Sequence, residues 1–111
     1  MSVYQSAVPV KIGQMALTAS AALVYTVPSN TRTIVKSINV VNTTASSATF
    51  DIYLLDSGGV ATTNALLYHQ SVAAYTSYQW PGLAIMNSGD LMYALASTTG
   101  LTLYASGAEC T

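Results

Sequence analysis

Thr49-Phe50-Asp51-Ile52-Tyr53-Leu54 decides the fold. Phe50, Ile52 and Leu54 recur with a period of two, so a strand carries them on one face and Thr49, Asp51 and Tyr53 on the other. The segment predicts a half-buried β-strand with Asp51 and Tyr53 turned away from the core.

The same period continues on both sides of it. Leu91, Tyr93 and Leu95 alternate with Met92, Ala94 and Ala96, and Leu101 and Leu103 alternate with Thr102 and Tyr104. Thr33 to Val41 is rich in β-branched residues, whose stiff χ1 suits a pleated surface better than a helix. Turn residues separate these runs at Pro28-Ser29-Asn30, Asn42-Thr43-Thr44, Asp56-Ser57-Gly58-Gly59, Trp80-Pro81-Gly82, Asn87-Ser88-Gly89-Asp90 and Thr98-Thr99-Gly100. Strands are predicted at 8–17, 22–27, 32–42, 48–55, 64–72, 75–79, 83–87, 90–96 and 101–106. The alanine-rich stretch 14–23 also suits a helical turn. Many short strands at this spacing predict an all-β chain, an antiparallel β-sandwich or jelly-roll-like barrel. Residues 1–111 read as a single domain, with segments 1–10 and 105–111 expected as arms that reach a neighbour.

Charge is scarce. Three Lys and Arg and four Asp and Glu make up 6% of the 111 residues, against 51% apolar residues and eight tyrosines. An ordinary domain is about a quarter charged. A folded chain of 11.6 kDa exposes roughly 5,800 Å², so each charge serves on the order of 800 Å², one partner's share of a standard interface. This composition predicts an assembly subunit whose surface is covered by neighbours. The only cations, Lys11, Arg32 and Lys36, are too few to neutralise several phosphates, so nucleic acid is not an expected partner. The N-terminal residues lack a basic region followed by an apolar run, so no signal peptide is read. The uncharged stretch from Ser57 to Gly89 is interrupted too often by polar residues to cross a bilayer, and no membrane partner is expected.

Reactive groups do not converge in the sequence. His69 is the only imidazole, Cys110 the only thiol, and the carboxylates are Asp51, Asp56, Asp90 and Glu109. A zinc site wants several Cys and His at ligand spacing, and no nucleophile elbow or phosphate loop occurs. His69 reads as a strand histidine facing solvent or an interface, Asp51 and Asp56 as solubilising or turn-forming groups, and Cys110 as a bystander. No catalytic residue, cofactor or metal ligand is assigned, and the chain is not expected to be an enzyme. Tyrosine is more informative, because it offers large contact area with a polar tip. Tyr53 and Tyr104 are expected at an interface because each alternates out of phase with apolar residues. Tyr75, Tyr78 and Trp80 join them as candidates, in a cluster that could alternatively stack on sugar rings.

Two segments resemble a family. Leu23-Val24-Tyr25-Thr26-Val27-Pro28, followed by Thr33-Ile34-Val35-Lys36-Ser37-Ile38-Asn39-Val40-Val41-Asn42-Thr43-Thr44, resembles a pattern in small structural proteins of tailed bacteriophages. Asn87 to Ala96, closing with Leu101 to Glu109, is similar to that family's C-terminal hairpin. The resemblance implies a β-sandwich virion protein of the capsid decoration or cement type, made in the host cytoplasm and placed on the capsid surface. Its partners would be the major capsid protein and itself, as a homotrimer. The alternative it implies is a tail, baseplate or fibre component. The matched residues are strand ends and turns, so they carry over no binding residue.

Overall fold

The computed structural model describes residues 7–56 and 64–111. Eight strands are formed: β1 (Ala7–Ala16), β2 (Ala22–Thr26), β3 (Arg32–Asn42), β4 (Ala48–Leu55), β5 (Ala65–Val72), β6 (Ser77–Met86), β7 (Leu91–Ala96) and β8 (Leu101–Cys110). They make two antiparallel four-stranded sheets, sheet A in the order β1-β8-β3-β6 and sheet B in the order β2-β7-β4-β5. Except at the β4–β5 hairpin, each strand lies in the other sheet from its predecessor. That winding is the jelly-roll form of a β-sandwich. The stretch 14–23 holds the end of β1, a short connection and the start of β2, with no helix.

Alternation builds the core. Phe50, Ile52 and Leu54 of β4 stand opposite Ala96, Ala94 and Met92 of β7, and Val40 and Ile38 of β3 stand opposite Leu103 and Ala105 of β8. All of these are fully buried except Leu54, which packs at the margin. Each large side chain contributes roughly 1.5–3 kcal/mol by leaving water. Alanines opposite Phe50 and Ile52 leave the space that the larger side chains fill.

Two expectations are corrected. Trp80-Pro81-Gly82 is not a turn but the middle of one strand, β6, where the register against β3 slips between Val35 and Ser37. Pro81 lacks an N–H, and it is tolerated because β6 is a sheet edge and carries the irregularity there. The expected arms are also strand: Ala7 to Val10 pair with Cys110 to Gly107, and Ala105 to Cys110 pair with β3 as well. Residues 1–6 lie outside the described residues, as does the Ser57-Gly58-Gly59 part of the turn expected after Asp56.

The remaining turns form where their residues predicted them. Asn30 at φ 56°, Gly89 at 85° and Gly100 at 103° supply the left-handed backbone. The Asn42 side chain accepts from Thr44 N–H at 2.9 Å and Thr44 Oγ1 at 2.7 Å, and it donates to Ser46 and Val72 carbonyls.

Candidate interaction surface

Four surfaces are available: two sheet faces and the two ends of the sandwich. Strand register assigns side chains to each.

The outer face of sheet A carries a transverse row in which Pro9 faces Ala108, Ala108 faces Ile34, and Ile34 faces Ile85. Ile85 is 56% exposed, with Leu83 beside it at 63%. Lys11 lies opposite Ser106, whose other neighbour is Ser37, and the register slip leaves Lys36 exposed next to Ser37. Arg32 lies opposite Cys110 on the far side of the apolar row. Thus Lys11, Lys36 and Arg32, all the cations of the chain, bracket one apolar stripe. A second row, Gln14-Tyr104-Asn39-Gln79, crosses the same face in register. Asn39 Oδ1 is shielded from water there without a hydrogen-bond partner.

On sheet B the outer face is more apolar. Leu23 faces Tyr93, Tyr93 faces Tyr53, and Leu91 faces Leu55. Tyr53 corrects the sequence reading: it is buried, as is Asp51 beside it. Both point away from the core as expected, but neither meets water. Asp51 accepts from Tyr53 Oη at 3.1 Å, from His69 backbone N–H at 2.5 Å, and contacts His69 Nδ1 at 3.0 Å. Burial raises the Tyr53 pKa first, and the Asp51 hydrogen bond and charge add to it. Asp51 is therefore a structural acceptor and not a solubilising group. It ties β4 to a bulge of β5, where His69 adopts φ 51° and stacks its ring on Tyr68 at 3.9 Å. His69 and Tyr68 remain exposed at that edge.

The other candidate residues separate. Tyr104 is exposed in the middle of sheet A's outer face, and Tyr75, 72% exposed, caps the β5–β6 turn with φ 57°. Tyr78 and Trp80 face inward opposite Val40 and Ile38 and pack against the core, with the Tyr78 ring 5.7 Å from Phe50. Tyr75, Tyr78 and Trp80 therefore do not form one stacking platform. Leu23, Leu83, Ile85 and Tyr68 are exposed apolar contributors that sequence reading passed over. Periodicity could have found Leu83 and Ile85, had residues 77–86 been read as one strand.

The two ends differ in charge. The connections 17–21, 43–47, 73–76 and 97–100 meet at one end, joined by Thr43 N–H to Gly100 O, Tyr75 N–H to Thr44 O and Ala96 N–H to Thr18 O. They consist of Ala, Ser, Thr, Gly, Leu and Tyr alone. The opposite end holds Asp56, after Leu55, and Asp90, before its register partner Leu91. Asp90 Oδ2 accepts from Asn87 N–H at 2.8 Å. Nearby, Tyr25 crosses from sheet B to sheet A, where its Oη is 2.8 Å from Thr33 Oγ1 and donates to Glu109 Oε2. Burial first, then Glu109, push the Tyr25 hydroxyl up to about 12, with Thr33 opposing. His69 and Cys110 lie on different sheets, so the geometry brings no imidazole to the thiol.

No family model matches the chain, and no curated protein matches it in sequence. Solved structures do match in fold. A chain from Bacillus endospore appendages, described as disulfide-linked pili, superposes with a TM-score of 0.57 at 21% identity, covering 100% of this chain and 94% of that one. A chain of infectious bursal disease virus, Gx strain, gives a TM-score of 0.55 at 11% identity, and one from the T13 particle of that virus gives 0.56 at 10%. Each viral match covers 95% of this chain, which spans about a third of the viral chains, 32% and 30%. The β-sandwich described here is thus similar in fold to nearly the whole of that pilus chain and to about a third of each of those viral chains.

Proposed function

We propose that this chain is a structural subunit of a virion, a decoration or cement protein of a tailed bacteriophage that coats the capsid and clamps neighbouring major capsid proteins. The observation that carries the reading is a jelly roll, the fold it has in common with viral capsid proteins, whose four-loop end bears no charge and presents Tyr75. Interface centres are depleted in charge and enriched in tyrosine. That end therefore meets the capsid without burying an unpaired ion. Its action is binding alone, without chemistry. Contacts to several capsid subunits at once add buried area across their joints, and multivalency slows release. A homotrimer would supply three such ends.

The test is position and copy number in purified particles. Hundreds of copies on the shell, lost on Tyr75→Asp, are expected, and particles without the protein should lose DNA at a lower temperature. A few dozen copies confined to the tail would overturn the reading. One observation favours that second assignment, to a tail, baseplate or fibre component: the match to the pilus chain covers nearly its whole length. Disulfide linkage does not transfer with it. One cysteine in these 111 residues joins copies only in pairs and cannot propagate a covalent chain.

A further inference from the structure

We propose that the outer face of sheet A is the contact between copies of this chain, and that its occupant is the sheet B side of a second copy, carrying Asp56 and Asp90. The inference deepens the reading above by naming how copies meet, and it is readable on the purified chain without any capsid.

Charge separation across the sandwich carries it. Lys11, Lys36 and Arg32 emerge on sheet A's outer face, and no Asp or Glu among the described residues shares that face. The four carboxylates lie elsewhere. Glu109 turns into the sandwich toward Tyr25, and Asp51 is buried behind sheet B. Asp56 and Asp90 remain at the end of sheet B. One side of the subunit is cationic around an apolar stripe. The other carries the exposed Leu23 and half-buried Leu91 and Tyr93, and Asp56 and Asp90 border it at the end where Leu55 pairs with Leu91.

Symmetry then decides which contact is open. Packing sheet A on sheet A, as in a two-fold dimer, would set the face carrying Lys11 and Lys36 of one copy against the same two lysines of the other, and like charges facing each other oppose association. Packing sheet A on the sheet B side of the next copy sets cations on acids and apolar on apolar. Such a head-to-tail contact closes into a ring or continues as a filament. Sheet A's four strands of ten or eleven residues measure roughly 19 by 35 Å, on the order of 650 Å². That approaches the roughly 800 Å² per partner of a standard interface. Lys11 and Lys36 sit two strand spacings apart, about 10 Å, so a single acidic corner can reach both.

The experiment is a charge swap. One variant carries Lys11→Glu and Lys36→Glu, the other Asp56→Lys. All three positions are exposed, and circular dichroism checks that each variant keeps the strand signal. Sedimentation equilibrium is read on each variant alone and on a 1:1 mixture. The wild-type chain is expected to self-associate, more weakly as salt rises. Each variant alone should associate about tenfold or more weakly, and the mixture should recover co-assembly of the two. An even-numbered or open species is expected there, because alternating copies cannot close a three-membered ring. Monomeric wild type at about 100 µM, full association of either variant, or a mixture without contact would each overturn the proposal. Lys36→Glu alone, which removes one cation and leaves the sheet untouched, should show a smaller loss in the same direction, and no loss would also overturn it. These outcomes are independent of where the protein sits in a particle, so failure here leaves the virion reading to its own test.

Discussion

Removing one hydroxyl at Tyr25 tests the polar bridge between the sheets. Tyr25 Oη lies 2.8 Å from Thr33 Oγ1 and donates to Glu109, so Tyr25→Phe deletes a charge-assisted hydrogen bond and leaves the ring in place. A tyrosine titrates near 10 in the unfolded chain and is pushed up to about 12 here. Burial is the first cause of that rise and the Glu109 bond the second, so the bridge accounts for only part of it. Because the folded value is the higher one, the stability linked to the neutral hydroxyl is full below pH 10 and is lost as the pH rises through 12. Two pH units correspond to about 2.7 kcal/mol. The side chain is only half-buried, so solvent screening reduces the expected share to about 1 kcal/mol. For a domain of this size that lowers Tm by roughly 4 °C. Thermal melts of both proteins at pH 7 should show this gap, and melts at rising pH should show it closing between 10 and 12. Other tyrosines titrate in the same range but are common to both proteins, so the difference isolates Tyr25. A gap below about 1 °C at pH 7, or one that does not change with pH, would refute the argument.

Gly107→Ala should be severe, because a Cβ there would run into the Ile34 carbonyl oxygen, and backbone cannot yield as a side chain does. A loss of about 3 kcal/mol is expected, and near-native melting would contradict the packing of β8 on β3. Tyr53→Asp should unfold the domain, since it sets a second buried carboxylate beside Asp51. Tyr104→Asp should change stability by less than about 0.5 kcal/mol yet weaken self-association, and a matched response of the two variants in denaturant melts would reject the assignment of faces. Gly89→Val should cost about 1–2 kcal/mol, because a β-branched residue is strained at φ 85°, and an unchanged Tm would dispose of the turn.

The β-class, seven of the eight strands within a few residues, and most turns were legible in the chain itself. Period-two alternation and turn chemistry are local, so Phe50, Ile52, Leu101 and Leu103 could be placed inward without a partner strand in view. The scarcity of charge was equally legible, since it is a count. Tertiary structure decided what locality cannot reach. Pro81-Gly82 reads as a turn until β3 is seen beside it, because whether such a pair bends a chain or bulges a strand depends on which edge is free. Tyr53 reads as exposed, but alternation fixes only the face a side chain takes and not what lies over it. Residues 107–110 read only as an arm, since the predicted strand stops at 106, yet they find partners in 7–10 across the length of the chain. Lys11, Arg32 and Lys36 are three scattered residues in sequence. Only the pairing of β1 with β8 and of β8 with β3 brings them to one face, because register between distant strands sets which charges become neighbours.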